Sequence, residues 1–157
     1  MIKLKAKELA LSFVITFGAA AIGSLATFPN LTTWYAALQK PTFNPPNWVF
    51  GPVWTILYIL IALSLYIVWT TRTKQQKRGA YIAFGVQLAL NALWSIVFFG
   101  LHWPALAVVV IVALLGSIAA TIWQFCRISR LAGWLLASYI CWVAFATALT
   151  VAVAWLN

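Results

Sequence analysis

Acidic side chains are almost missing from this sequence. Among 157 residues Glu8 is the single carboxylate, and charged residues of both signs make up only 7%. A soluble domain carries about 25% charged residues, so a water-soluble surface is excluded. Glu8 also sits at the start of the first apolar run. The sequence therefore lacks the paired carboxylates of acid–base chemistry and the midplane acids of ion-coupled transporters. Histidine occurs once, at His102, and reads as a residue of a short outer turn rather than an axial ligand. Cysteine occurs twice, at Cys126 and Cys141, with no CxxC pair and no neighbouring His. No metal site is expected from that pattern, and buried thiols are the simpler reading.

What remains is 65% hydrophobic residues and ten Lys or Arg in short clusters. A nucleic-acid binder needs a contiguous cationic face on a folded domain. Here the longest basic segment, Arg72 to Arg78, is a connector between apolar runs, so no nucleic-acid partner is expected. A hydrocarbon core of about 30 Å is crossed by about 20 apolar helical residues. Five such runs lie at 8–28, 47–70, 80–101, 104–125 and 131–156. The expected fold is an all-α membrane protein, a bundle of five transmembrane helices forming one domain over 1–157, with an outer loop at 29–46. Pro29 and Asn30 are expected to end the first span, and His102-Trp103-Pro104 to make a tight reversal.

Five spans put Lys3, Lys5, Lys7, Arg72, Lys74, Lys77, Arg78, Arg127 and Arg130 on one side and only Lys40 on the other. By the positive-inside rule the expectation is a bacterial plasma membrane with the N-terminus cytoplasmic and the C-terminus outside. A cleaved secretory signal is the competing reading of the basic start and Ser24-Leu25-Ala26, but the run exceeds the usual signal core of about 7–15 residues.

Ten tryptophans sort by depth. Trp34, Trp48, Trp103 and Trp155 fall near the outer boundary, and Trp69, Trp123 and Trp134 near the inner one, where amphipathic rings settle. Trp54, Trp94 and Trp142 lie inside spans. On the third span Gln87, Asn91, Trp94, Ser95 and Phe98 recur at spacings of three and four and share a face. That stripe serves interhelical hydrogen bonding or ligand contact equally well. At 1.5 Å per residue, Trp54, Tyr58, Asn91, Trp94, Trp142 and Ala146 all lie about 10–20 Å below the outer boundary. Aromatic walls with few polar groups at one depth suit a large, flat, apolar ligand, although an aromatic core without a cavity has the same pattern. Above them, the loop from Trp34 to Trp48 carries Pro41, Pro45 and Pro46. Prolines restrict the backbone, so this loop reads as a shaped cover.

The run Trp34-Tyr35-x-x-Leu38-x-Lys40-Pro41-x-x-x-Pro45-Pro46, continuing to Val53-Trp54-x-x-Leu57-Tyr58, resembles the hallmark of the TspO/translocator family, also known as tryptophan-rich sensory proteins or peripheral-type benzodiazepine receptors. Asn91-x-x-Trp94-Ser95-x-x-Phe98-Phe99 and Tyr139-x-x-Trp142-x-x-Phe145-Ala146 are similar to its two other signatures. The resemblance implies a five-helix bundle, commonly a homodimer, that binds protoporphyrin IX or haem and isoquinoline or benzodiazepine-type small molecules, with no obligatory cofactor. Carried over, the pocket comprises Tyr35, Pro45 and Phe50 near the loop, Trp54 and Tyr58 on the second span, Asn91 and Trp94 on the third, and Trp142 and Ala146 on the fifth. The implied role is sensor, scavenger or carrier of tetrapyrroles. The alternative is light- or oxygen-dependent porphyrin degradation with Trp54 and Trp142 as photochemical partners.

The sequence departs from the family in two places. Thr150 stands where members often have Asn, and the sterol motif of animal members is absent after Ala146, so sterol transport is not expected. Ala19-x-x-x-Gly23 and Gly85-x-x-x-Ala89 permit close helix approach, in a dimer or within one chain.

Overall fold

The computed structural model describes residues 5–74 and 77–157. Lys3, counted above with the inner cations, lies outside the described residues, as do Gln75 and Gln76 of the connector. The described chain is helical: α1 (Ala6–Leu31), α2 (Trp34–Ala37), α3 (Asn47–Thr70), α4 (Arg78–Ser95), α5 (Pro104–Ile128), α6 (Arg130–Leu135) and α7 (Ala137–Leu156). A π-turn, Ile96–Gly100, continues α4. Five helical segments are long and apolar enough to cross a membrane, α4 with its π-turn and α6 with α7 each counting as one.

Three details differ from the sequence reading. The first helix does not stop before Pro29 but runs through it to Leu31. A proline costs a helix one backbone hydrogen bond, and neighbouring side chains bond this last turn instead. Asn30 Nδ2 donates to the Ala26 carbonyl at 2.9 Å and Thr33 Oγ1 to that of Pro29 at 3.1 Å. The fifth span is broken at Leu136, whose N–H turns back to the Gly133 carbonyl at 3.1 Å. The third span ends in the π-turn, closed by Leu101 N–H to the Ile96 carbonyl at 2.8 Å. The extra residue per turn brings Val97, Phe98 and Phe99 all into the interior.

Past it the chain reverses at His102, whose φ of 54° lies in the left-handed region. That conformation costs a non-glycine residue about 1–2 kcal/mol. It is held by a 3.0 Å bond between His102 Nε2 and Asn30 Oδ1 and by stacking on Trp34 at 4.5 Å.

The main core joins α3, α4, α5 and α7 through Ile61, Leu65, Phe84, Ile118, Phe125 and Val143, with α6 closing the inner end through Ala132. A second cluster at the outer end gathers Tyr35, Phe98, Phe99, Ala107 and Val153. Large apolar residues such as Leu25, Phe28 and Trp155 are exposed around the bundle. This distribution suits a hydrocarbon surround rather than water. Trp48, Trp103, Trp123, Trp134 and Trp155 are exposed near the two ends, as interfacial rings should be. Trp34 is instead half-buried, edge-on to Phe98 at 5.4 Å.

At the inner end Lys77 Nζ donates to the carbonyls of Trp69 and Thr71, tying off α3. Burial and the neighbouring Lys5 hold the Lys77 ammonium below its ordinary pKa. Gly23 faces Ser95 of α4 so closely that an added Cβ would lie 3.1 Å from its Oγ. This small residue therefore serves packing within the chain, whereas Gly85 and Ala89 are exposed.

Candidate functional site

Between α1, α3, α4 and α7, with Tyr35 of α2 also in its lining but none of residues 36–46, lies a cavity of about 540 Å³. Its floor is a chain of buried hydrogen bonds. Tyr58 OH donates to Asn91 Oδ1 at 2.5 Å, Asn91 Nδ2 donates to Tyr139 OH at 2.9 Å, and Tyr139 OH donates to Gln87 Oε1 at 2.9 Å. The spacing on α4 makes this possible: Gln87 and Asn91 are one turn apart and face α3 and α7 together. The hydrogen-bonding reading of the α4 stripe holds at Asn91, which bonds two other helices and also lines the cavity. Gln87 lies deeper and does not line it.

Aromatic rings form the walls. Trp54 meets Tyr58 at 5.8 Å and Tyr139 at 6.4 Å, Phe50 meets Trp142 edge-on at 6.0 Å, and Trp94 stacks on Phe98 at 5.4 Å. Some polar side chains on the walls are committed, whereas those of Ser24, Asn47 and Ser95 also line the cavity and make no hydrogen bond with the described residues. Thr27, Thr55 and Thr150 each donate to a carbonyl one turn back on their own helix, at 2.8–2.9 Å. Trp94 Nε1 and Trp142 Nε1 are different: both are buried and neither has a partner. Leaving a buried donor unmet costs about 1–3 kcal/mol.

The loop above is pinned at several points. Tyr35 OH donates to Asn44 Oδ1 at 3.0 Å, Asn44 Nδ2 to the Pro45 carbonyl at 3.0 Å, and Phe43 meets Phe145 of α7 edge-on at 6.4 Å. Lys40 Nζ lies 4.9 Å over the Tyr35 ring and donates to the carbonyls of Ala36 and Leu38. Burial raises the Tyr35 phenol pKa above its ordinary 10.0, partly offset by the bond to Asn44. From the far end of the chain, Asn157 grips Gln39 twice: it accepts from the Gln39 N–H and donates to the Gln39 carbonyl, each at 3.0 Å. Alanine at 157 should lower hydrogen-exchange protection of the Gln39 amide about fivefold, the loss of about 1 kcal/mol. Protection in α4 and α5 should stay unchanged.

Of the expected site residues, Tyr35, Phe50, Trp54, Tyr58, Asn91, Trp94, Trp142 and Ala146 all line the cavity. Pro45 does not; it shapes the loop and accepts the Asn44 amide. Sequence reasoning missed α1, which contributes Phe17, Ala20, Ser24, Thr27, Phe28 and Leu31 to the wall. A signal was present: Ala20, Ser24, Thr27 and Leu31 recur at spacings of four, three and four, with two hydroxyls inside an apolar run. Cys126 and Cys141 are free thiols away from the cavity. Among the described residues no three His, Cys, Asp or Glu side chains cluster as a metal site would require.

The sequence profile of the TspO/MBR family matches residues 10–156. This chain belongs to the TspO/MBR family. It is 45% identical over 135 residues to the tryptophan-rich protein TspO of Archaeoglobus fulgidus, covering 86% of this chain and 87% of that one. To the translocator protein of Homo sapiens it is 40% identical over 133 residues, 82% and 77% of the two chains. To the tryptophan-rich sensory protein of Cereibacter sphaeroides it is 38% identical over 139 residues, 88% and 85%. Family membership and five apolar helices together make it a multi-pass integral membrane protein. As a TspO/MBR member it carries the family's tryptophan-rich character into the cavity itself, on α3, α4 and α7.

Proposed function

We propose that this protein binds a tetrapyrrole, protoporphyrin IX or haem, in the outer cavity and acts as a membrane sensor, scavenger or carrier of it. The observation that carries this reading is the cavity: about 540 Å³, within the range of roughly 300–1,000 Å³ typical of small-molecule sites, walled by indole, phenol and phenyl rings. A flat conjugated macrocycle gains most from such walls, because offset and edge-on ring contacts add to simple area burial. Isoquinoline and benzodiazepine-type molecules share that chemistry and fall within the proposal. The Lys and Arg distribution supports a bacterial plasma membrane with a cytoplasmic N-terminus, and the exposed Gly85 and Ala89 suit a homodimer contact.

A second reading, light- or oxygen-dependent degradation of the porphyrin, is favoured by one observation. Trp54 and Trp142 both face the cavity, and Trp54 is backed by Tyr58 and Tyr139, so a bound chromophore would lie against oxidisable rings.

The deciding test is a dark titration with protoporphyrin IX followed by tryptophan-fluorescence quenching, beside a Trp54→Ala/Trp142→Ala variant of unchanged helicity. Loss of two ring contacts should weaken binding by at least about tenfold, or 1.4 kcal/mol. Absence of saturable binding by the wild type, or equal binding by the variant, would sink the proposal.

A further inference from the structure

We propose that the reversal between α5 and α6 is a binding site for the headgroup of an anionic phospholipid, with Arg127 and Arg130 on the phosphate and the exposed indoles of Trp123 and Trp134 beneath them. The site is at the inner end of the bundle and shares no residue with the cavity lining, so it stands or falls independently of the tetrapyrrole reading.

The sequence here is a mirror about the turn at Ser129: Trp123-x-x-x-Arg127 ends α5, and Arg130-x-x-x-Trp134 opens α6. Residues four apart share a helix face, one turn above the other. Arg127 accordingly lies with its Cζ 4.9 Å over the Trp123 ring. The faces on which the two helices meet are marked by Gly133, which sits against Ile122 and Cys126. One residue beyond these contact positions come Trp123 and Arg127 on α5 and Trp134 on α6. Each such step turns about 100° in the same sense along its own chain. Because successive spans run antiparallel, the steps lead to the same side of the hairpin, and Arg130 shares the Trp134 face. All four side chains are exposed, Trp123 at 60% and Trp134 at 72%.

Neither guanidinium has an acid to meet. Glu8 is the only acidic side chain, and it stands on α1, which packs against α3 and α4. Among the described residues Arg127 and Arg130 form no ion pair. Three residues of chain hold their Cα atoms within about 11 Å of each other, and two cations so placed repel unless an anion lies between them. The planar fork of a guanidinium matches phosphate oxygens in pairs. The indoles lie about 6 Å deeper along their helices, at the interfacial level such rings favour, and below them the spans are apolar enough for acyl chains. A free phosphate would engage the cations and leave the rings bare, whereas a phospholipid occupies both. A zwitterionic headgroup brings its own ammonium to the phosphate, so a net anionic one is the better match.

The test is native mass spectrometry of the full chain released from a mild detergent, with phosphatidylglycerol or phosphatidylcholine of identical acyl chains added. Wild type should bind the first phosphatidylglycerol about twentyfold more tightly than the first phosphatidylcholine, about fivefold for each of the two arginines. Arg127→Gln/Arg130→Gln should erase that preference. Arg72→Gln/Lys74→Gln removes the same charge from the same end of the bundle and should keep a preference of at least about tenfold. Inorganic phosphate in the same concentration range should leave the lipid bound. Equal wild-type affinity for the two lipids, a measurement that needs no variant, would overturn the inference. Equal losses in the two double variants would overturn it as well, by assigning the preference to the basic end as a whole. Displacement by inorganic phosphate would make the site one for a small anion and overturn the lipid assignment.

Discussion

Alanine at Gly133 will lower the stability of the bundle by about 2–3 kcal/mol, the cost of overpacking a filled interior. Gly133 is buried in the short helix α6, where the chain returns against α5. A Cβ there would collide with Cys126 Sγ and approach the Ile122 carbonyl to 3.2 Å. Neither neighbour yields cheaply. The carbonyl belongs to the α5 backbone, and Cys126 is held on the same helix. The measurement is resistance to unfolding in a denaturing detergent series. A companion variant, Gly133→Ala with Cys126→Ala, should recover about half of the loss, because it removes the sulfur but not the carbonyl. Full recovery would show that the backbone contact is unimportant; no recovery would show that the thiol is.

The second large effect is expected at Asn91. Leucine there strips Tyr58 of its acceptor and Tyr139 of one donor, while Tyr139 keeps its bond to Gln87. Interhelical bonds within a bilayer average only about 0.6 kcal/mol in pairwise cycles, because the unfolded chain also finds partners. Two lost bonds and a stranded phenol in the interior therefore cost about 2 kcal/mol. The consequence for the cavity is more informative than the stability loss. With its proton released from Asn91, the Tyr58 hydroxyl becomes a free donor on the wall, so the variant should bind protoporphyrin IX dimethyl ester better than wild type does, relative to a porphyrin carrying alkyl groups only. Tyr58→Phe in the same background should abolish that change.

The five spans and the depth of the aromatic band were legible because each rests on a pattern that the bilayer imposes: apolar length, Lys and Arg asymmetry, and polar residues at helical spacing. Asn91, Trp94 and Trp142 stood out because amide and indole groups within an apolar run require an explanation. The π-turn at Ile96–Gly100 was not legible, since Ile-Val-Phe-Phe-Gly is equally compatible with a regular helix. The extra residue is accommodated only by how Phe98 and Phe99 pack against Tyr35 and Trp34. Passage of α1 through Pro29 also depended on tertiary partners, among them Asn30 meeting His102 from the next outer turn. The contribution of α1 to the site was masked for a different reason. Gly23 drew attention as a small residue for helix contact, which it is, while Ser24 beside it entered only as part of a possible signal-cleavage site and Thr27 was not singled out.

The mutual satisfaction of polar groups around the cavity has a bearing on its hydration. An enclosed water needs about two to four polar partners to stay. Here Tyr58, Asn91 and the wall threonines have already found partners in the protein, so among the described residues the side chains left to hold water are few, chiefly those of Ser24, Asn47 and Ser95. Water along the aromatic walls of the unliganded cavity should therefore be weakly held. An entering ring system displaces it at small cost, and the heat of association should be favourable at room temperature, as it is for poorly hydrated apolar pockets.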